Sequence, residues 1–150
     1  MPRPLRLAAW SLAGLVALGA GAAFLWLNGE RGPAPVDLAQ GARLYGAHCA
    51  ACHGADLEGE PNWRQRRADG TLPAPPHDAS GHTWHHPDQQ LFAITKFGTA
   101  ALVGGDYQSN MHGFAEILSD DEIRAVLAHI RSQWPEDIRR RQREITLRAQ

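Results

Sequence analysis

The apolar positions fall into stretches of different character. From Leu7 to Leu27 the chain carries no charged residue. A helix of that length spans roughly 30 Å, the thickness of one bilayer core. Arg3 and Arg6 precede it, which suits residues 1–6 as a cytoplasmic N-terminus and an exported remainder. Ala20-Gly21-Ala22 offers the small residues that a signal peptidase needs. Phe24, Leu25, Trp26 and Leu27 nevertheless continue the apolar run past that point, and Trp10 and Trp26 sit near its ends as interfacial aromatics do. Residues 7–27 are therefore expected to form a transmembrane anchor or an uncleaved signal. A cleaved signal would export the rest of the chain just as well.

Beyond the run the pattern changes to helical periodicity interrupted by long polar loops. Residues 28–36 (NGERGPAPV) form a polar linker. Asp37 is an N-cap for a helix running to about His48, with Leu38, Ala42 and Tyr45 at helical spacing and Gly41 on the same side. A glycine there lets another helix approach closely. Gly54 breaks the chain direction. Residues 55–86 hold prolines, glycines and polar side chains without a period; Leu57, Trp63, Leu72 and Trp84 are their few large apolar groups. A loop that long in a compact domain points to a ligand that it wraps.

Pro87-Asp88 opens a second helix with Leu91, Phe92, Ile94 and Thr95 on one face, and Gly98 ends it. Residues 99–113 read as loop. Ser119-Asp120-Asp121-Glu122 is a capping box that starts a helix carrying Ile123, Val126, Leu127 and Ile130. Trp134-Pro135 stops it, and Pro135 opens a polar, arginine-rich helix from Glu136 to about Ala149 within residues 135–150. With no convincing strand and no repeat, the expected class is all-α.

Charge narrows the functions. The formal net charge of -1 gives no case for nucleic acid. The chemistry concentrates in Cys49-Ala50-Ala51-Cys52-His53, a C-x-x-C-H run that holds both cysteines of the chain. This spacing attaches a c-type haem. On one helical turn the two thiols share a face and reach two porphyrin vinyl groups. The adjacent His53 then presents a neutral imidazole to the iron as proximal ligand. A redox dithiol would sit in a βαβ pattern, and a zinc site needs a second pair of ligands; neither pattern is present.

Haem iron in an electron carrier needs a second axial ligand, and Met111 is the only methionine besides the initiator. It lies in loop sequence, Ser109-Asn110-Met111-His112-Gly113-Phe114, where gap-filling in a core is no explanation. It is the expected distal ligand.

Taken together, the helix with Gly41 and Tyr45, C-x-x-C-H, a proline-containing loop, a middle helix, a loop methionine and a last helix resemble class I cytochrome c from about Val36 to Trp134. The resemblance implies a cytochrome c fold over 37–134, wrapped around one covalent haem c and preceded by the single membrane helix. It implies a first and a last helix that cross, through Gly41 and Tyr45 against Leu127 and Ile130. His129 stands where an aromatic is frequent, and His112 follows the methionine in place of proline, so His112 is a rival ligand. A proline carbonyl, from Pro75 or Pro76, is expected to hold the proximal imidazole.

The implied activity is electron transfer by a His/Met-ligated iron, without a residue acting as acid, base or nucleophile. The expected partners are redox proteins in or at the membrane, with the haem domain on the periplasmic side of the inner membrane. Buried porphyrin would supply the core that the polar loops lack, so the haem-free domain is expected to be unfolded or molten. Two alternatives differ in kind. A haem enzyme or small-ligand-binding haem protein would need an open sixth position. A metal-delivery subunit would use the cluster of His77, His82, His85 and His86 with Asp78 and Asp88. Arg139, Arg140, Arg141 and Arg143 form a basic run that reads as a solvated helix face or a contact to anionic lipid or an acidic partner.

Overall fold

Helix ends are set by local side chains. In the computed structural model, which describes residues 36–150, the Asp37 carboxylate accepts from the Ala39 and Gln40 N–H groups at 2.9 and 3.0 Å and starts α1 (Leu38–His48). The expected anchor over 7–27 lies outside the described residues. Among the described residues no helix is long and apolar enough to cross a membrane. A short α2 (Ala50–His53) carries the C-x-x-C-H turn and ends at Gly54, whose φ of 81° turns the chain. A 3-10 turn (Thr83–His85) leads into α3 (Asp88–Phe97). Then follow α4 (Thr99–Val103), α5 (Asp120–Ser132) and α6 (Glu136–Arg148). The expected capping box is formed, with the Ser119 and Glu122 side chains each bonded to the other's backbone N–H.

One element departs from the expected pattern. The pattern over residues 99–113 predicts loop, whereas Thr99–Val103 close a turn of helix. Gly98, at φ 84°, redirects the chain after α3, and Gly104 ends the new turn. Five residues are too few to show a period.

Helices α1 and α5 cross at Gly41. A Cβ at Gly41 would overlap the Ala125 carbonyl oxygen and press on His129 Cβ. The glycine therefore sets the approach of the two backbones. Tyr45 lies one turn on from this point, with the His129 ring tilted against it at 5.6 Å between centroids. The crossing joins Tyr45, Leu57, Val126, Ile130 and Trp134 into one buried cluster. A second cluster holds Phe114, Leu118 and Ile123. Leu44 packs against both. Among the described residues there is no strand; the only ladder contact is an isolated bridge between Gly98 and His112.

Helix α6 docks through Ile138, which packs against the first cluster, and through polar atoms. Gln142 is 1 % exposed. Its amide donates to Asp88 Oδ1 at 2.7 Å, and the Asp88 N–H donates to Thr146 Oγ1 at 3.1 Å. Asp88 also pairs with Arg131 of α5 at 2.6 Å. The last helix thus caps the start of α3, which its arginine-rich sequence did not suggest.

Candidate metal centre

The loop from Ala55 to His86 is laced to itself. Gly59 N–H donates to His53 O at 2.7 Å and Glu60 N–H to Ala74 O at 2.8 Å. The Glu60 carboxylate accepts from Ala74 N–H at 2.6 Å and pairs with Arg67 at 2.7 Å. The Leu57 carbonyl accepts from both His77 and Asp78 N–H, at 2.8 and 3.2 Å. Gly59 makes this lacing possible: its φ is 68°, and a Cβ would stand 2.5 Å from Pro76 N. The two arms of the loop therefore approach at backbone distance, and Pro75 is carried beneath α2.

The consequence is at His53. Its Nδ1–H donates to the Pro75 carbonyl at 2.8 Å. A carbonyl can only accept, so the proton sits on Nδ1 and the lone pair on Nε2. Burial, against the opposing pull of the Pro75 bond and of Glu60, holds its pKa below the ordinary histidine value. The ring is 6 % exposed. A neutral imidazole with one nitrogen fixed by a carbonyl is the state a metal ligand needs. Pro75, and not Pro76, supplies that carbonyl.

Cys49 and Cys52 are not joined to each other as a disulfide. Cys52 and His53 N–H donate to the Cys49 carbonyl at 3.1 and 2.9 Å, so the three side chains share one turn. Cys49 packs against the Tyr45 cluster, while Cys52 is exposed. Burial first, and the neighbouring Cys52 second, push the Cys49 thiol up to about 11.

Met111 belongs to the other cluster. It is half-buried and packs against Phe114, Leu118 and Ile123. Its N–H donates to Ser109 Oγ at 3.1 Å and its carbonyl accepts from Thr99 N–H at 3.1 Å. A Cβ at Gly98 would stand 2.7 Å from Gly113 N, so these two glycines bring the methionine loop against the end of α3. His112 is exposed, with its ring tilted over Phe114 at 4.7 Å.

The histidines of 77–86 do not form the second metal site considered from the sequence. Among the described residues no three His, Cys, Asp or Glu side chains converge as a metal site. Three of the rings stack on aromatic partners, and the His86 ring stands edge-on to His82 at 5.2 Å. His77 stacks on His53, His82 on Trp63 at 5.3 Å, and His85 on Trp84 at 3.7 Å. The structure also brings forward Gly59 and Thr83, which sequence reasoning passed over, and sets the ring of His77 against His53 instead of in a second metal site. Nothing in their spacing marks them; they matter through contacts across the loop.

Two adjacent thiols, a buried imidazole with an unengaged lone pair, a thioether and two separate apolar clusters fit a covalently held iron porphyrin. Such a group supplies a one-electron iron couple. The Cytochrome c family model matches residues 38–134. No curated protein matches the chain. The family match spans well over half the chain and includes the C-x-x-C-H turn; the chain belongs to the cytochrome c family, an electron-transfer protein binding one covalent haem c with its iron.

Proposed function

We propose that this chain is a monohaem electron shuttle held at the inner membrane by residues 7–27. Its haem domain faces the periplasm and passes single electrons between membrane or periplasmic redox proteins. Cys49 and Cys52 hold the haem as thioethers, His53 is the proximal ligand and Met111 the distal one. The observation that carries the ligand set is the contrast at the methionine loop. Met111 is half-buried and packs against the apolar Phe114–Leu118–Ile123 cluster, whereas the neighbouring His112 is exposed, with its ring over Phe114 of that cluster. A thioether in an apolar setting favours Fe(II) and raises the potential. With His53 and Met111 both holding the iron, oxygen and peroxide would have no ready access, and no side chain would be needed as acid, base or nucleophile.

The test is the visible spectrum of the ferric holoprotein. Sulfur ligation gives a weak band toward the red end. Met111→Ala is expected to abolish it and His112→Ala to leave it. A band that survives Met111→Ala would remove the ligand assignment. The membrane assignment is tested by fractionation: the full chain is expected with the membranes, and a chain whose 7–27 segment is replaced by a cleavable signal is expected in the soluble periplasmic fraction.

A further inference from the structure

Three successive residues, Pro75-Pro76-His77, touch the proximal ligand or brace what touches it. The Pro75 carbonyl lies at the edge of the His53 ring, as described. The His77 ring lies on its face: the centroids are 3.9 Å apart and the planes 19° from parallel. A single hydrogen bond at Nδ1 fixes one point of an imidazole but leaves rocking about the N–H···O axis. A flat ring on the face restricts that rocking.

His77 is itself held at every polar group for which a partner is visible. Its N–H donates to Leu57 O at 2.8 Å, and its carbonyl accepts from the Trp134 indole N–H at 2.6 Å. Its Nδ1 lies 2.8 Å from Thr83 Oγ1. Thr83 is buried, and its hydroxyl donates to the Pro76 carbonyl at 3.4 Å. That hydroxyl therefore accepts from His77 Nδ1–H. Tyr45 closes from the side, edge-on at 6.4 Å.

We infer that His77 is a positioning residue for the proximal ligand: its ring, pinned by Thr83, stacks on His53 and sets the angle at which that imidazole plane meets the haem. The angle matters because the imidazole π-orbital mixes with one of two iron d-orbitals according to its direction. That choice sets the magnetic anisotropy of ferric haem and the spread of unpaired spin over the porphyrin methyls. The inference rests on His53 as iron ligand and is independent of Met111.

The experiment uses ferric holoprotein and reads the electron paramagnetic g-values and the order of the hyperfine-shifted haem methyl resonances. His77→Leu, which removes the flat face, is expected to shift the g-values and reorder the methyls while the red sulfur band persists. His77→Phe, which restores a flat ring, is expected to return the methyl order toward wild type. Thr83→Val, which keeps volume and removes the pin, is expected to give a smaller shift in the same direction and serves if His77→Leu fails to hold haem. Unchanged g-values and methyl order in Thr83→Val together with His77→Leu, or in Thr83→Val alone where His77→Leu loses haem, would overturn the inference and leave His77 a packing residue. Wild-type spectra without nitrogen coupling from an axial imidazole would overturn the His53 ligand assignment as well, which separates the two failures.

Discussion

The two candidate axial ligands are held in unequal ways. His53 sits on a helical turn, 6 % exposed, with its ring fixed by Pro75 at its edge and His77 on its face. Around it the loop arms exchange backbone bonds at Leu57, Gly59 and Glu60. Met111 is half-buried and tied at its own residue by one backbone bond, from Thr99, and one Ser109 hydroxyl, and its loop is next held at Phe114 and Ala115, whose N–H groups donate to the Thr95 and Lys96 carbonyls. The number and burial of such ties set the free energy of local opening. The proximal side is therefore a framework, and the distal side is a tether that gives first.

Removing what both sides grip has the largest effect. Several hundred Å2 of buried porphyrin would contribute about 10 kcal/mol. The described residues bury a short set of apolar side chains, most of them in two clusters. Cys49→Ala/Cys52→Ala/His53→Ala is expected to give a haem-free chain without a cooperative melt by circular dichroism; a compact, sharply melting product would count against the account.

Paired glycine substitutions sharpen the comparison. Gly59→Ala puts a Cβ against Pro75 and Pro76 at a positive φ. Gly98→Ala does the same against His112 and Gly113. Each is expected to cost about 2–3 kcal/mol in chemical denaturation. Their spectra should differ. Gly98→Ala should weaken the sulfur band and keep histidine ligation, whereas Gly59→Ala should impair haem retention itself. Equal spectral effects would erase the distinction between framework and tether. Met111→Ala, at a half-buried site, is expected to cost about 1–2 kcal/mol, less than a fully buried truncation, and to lower the potential in a redox titration.

The smallest effect belongs to Tyr45. Its hydroxyl donates to the Gly54 carbonyl at 2.8 Å, just after the C-x-x-C-H turn. Burial raises its pKa far above the model-compound value of 10.0, with negative charge at Cys49 and Glu58 adding to this. The thioether at Cys49 removes that charge, but burial remains. A raised folded pKa contributes stability that is complete below the unfolded value of 10.0 and is lost as pH rises beyond it. Tyr45→Phe is expected to cost about 1 kcal/mol at neutral pH. Its stability should also fall less steeply above pH 10 than that of the wild type. Parallel pH profiles would show that Tyr45 does not carry this dependence.

Much of the framework could be read from residues. Asp37, Gly41, Ser119 and Glu122 act locally, through caps and one close approach, and each behaves as its type suggests. C-x-x-C-H carries its chemistry in its spacing. What could not be read is long-range or polar. Which proline would meet His53 depended on Gly59 bringing two loop arms together. The docking of α6 sets one apolar residue, Ile138, beside polar contacts from Gln142 and Thr146 to Asp88, and such a mixture leaves no hydrophobic period. Helix α4 was too short to announce itself. The histidines near 82 suggest a metal cluster by proximity in sequence, but His82 and His85 stack on Trp63 and Trp84, and among the described residues no three ligating side chains converge.

One titration compares the two sides within a single sample. Ferric holoprotein is taken through increasing denaturant while the red sulfur band and the far-ultraviolet helix signal are followed together. The account expects the sulfur band to vanish at a lower denaturant concentration, with the helices still formed and the haem still attached. Superimposed transitions would contradict it, because the methionine loop would then open only with the framework.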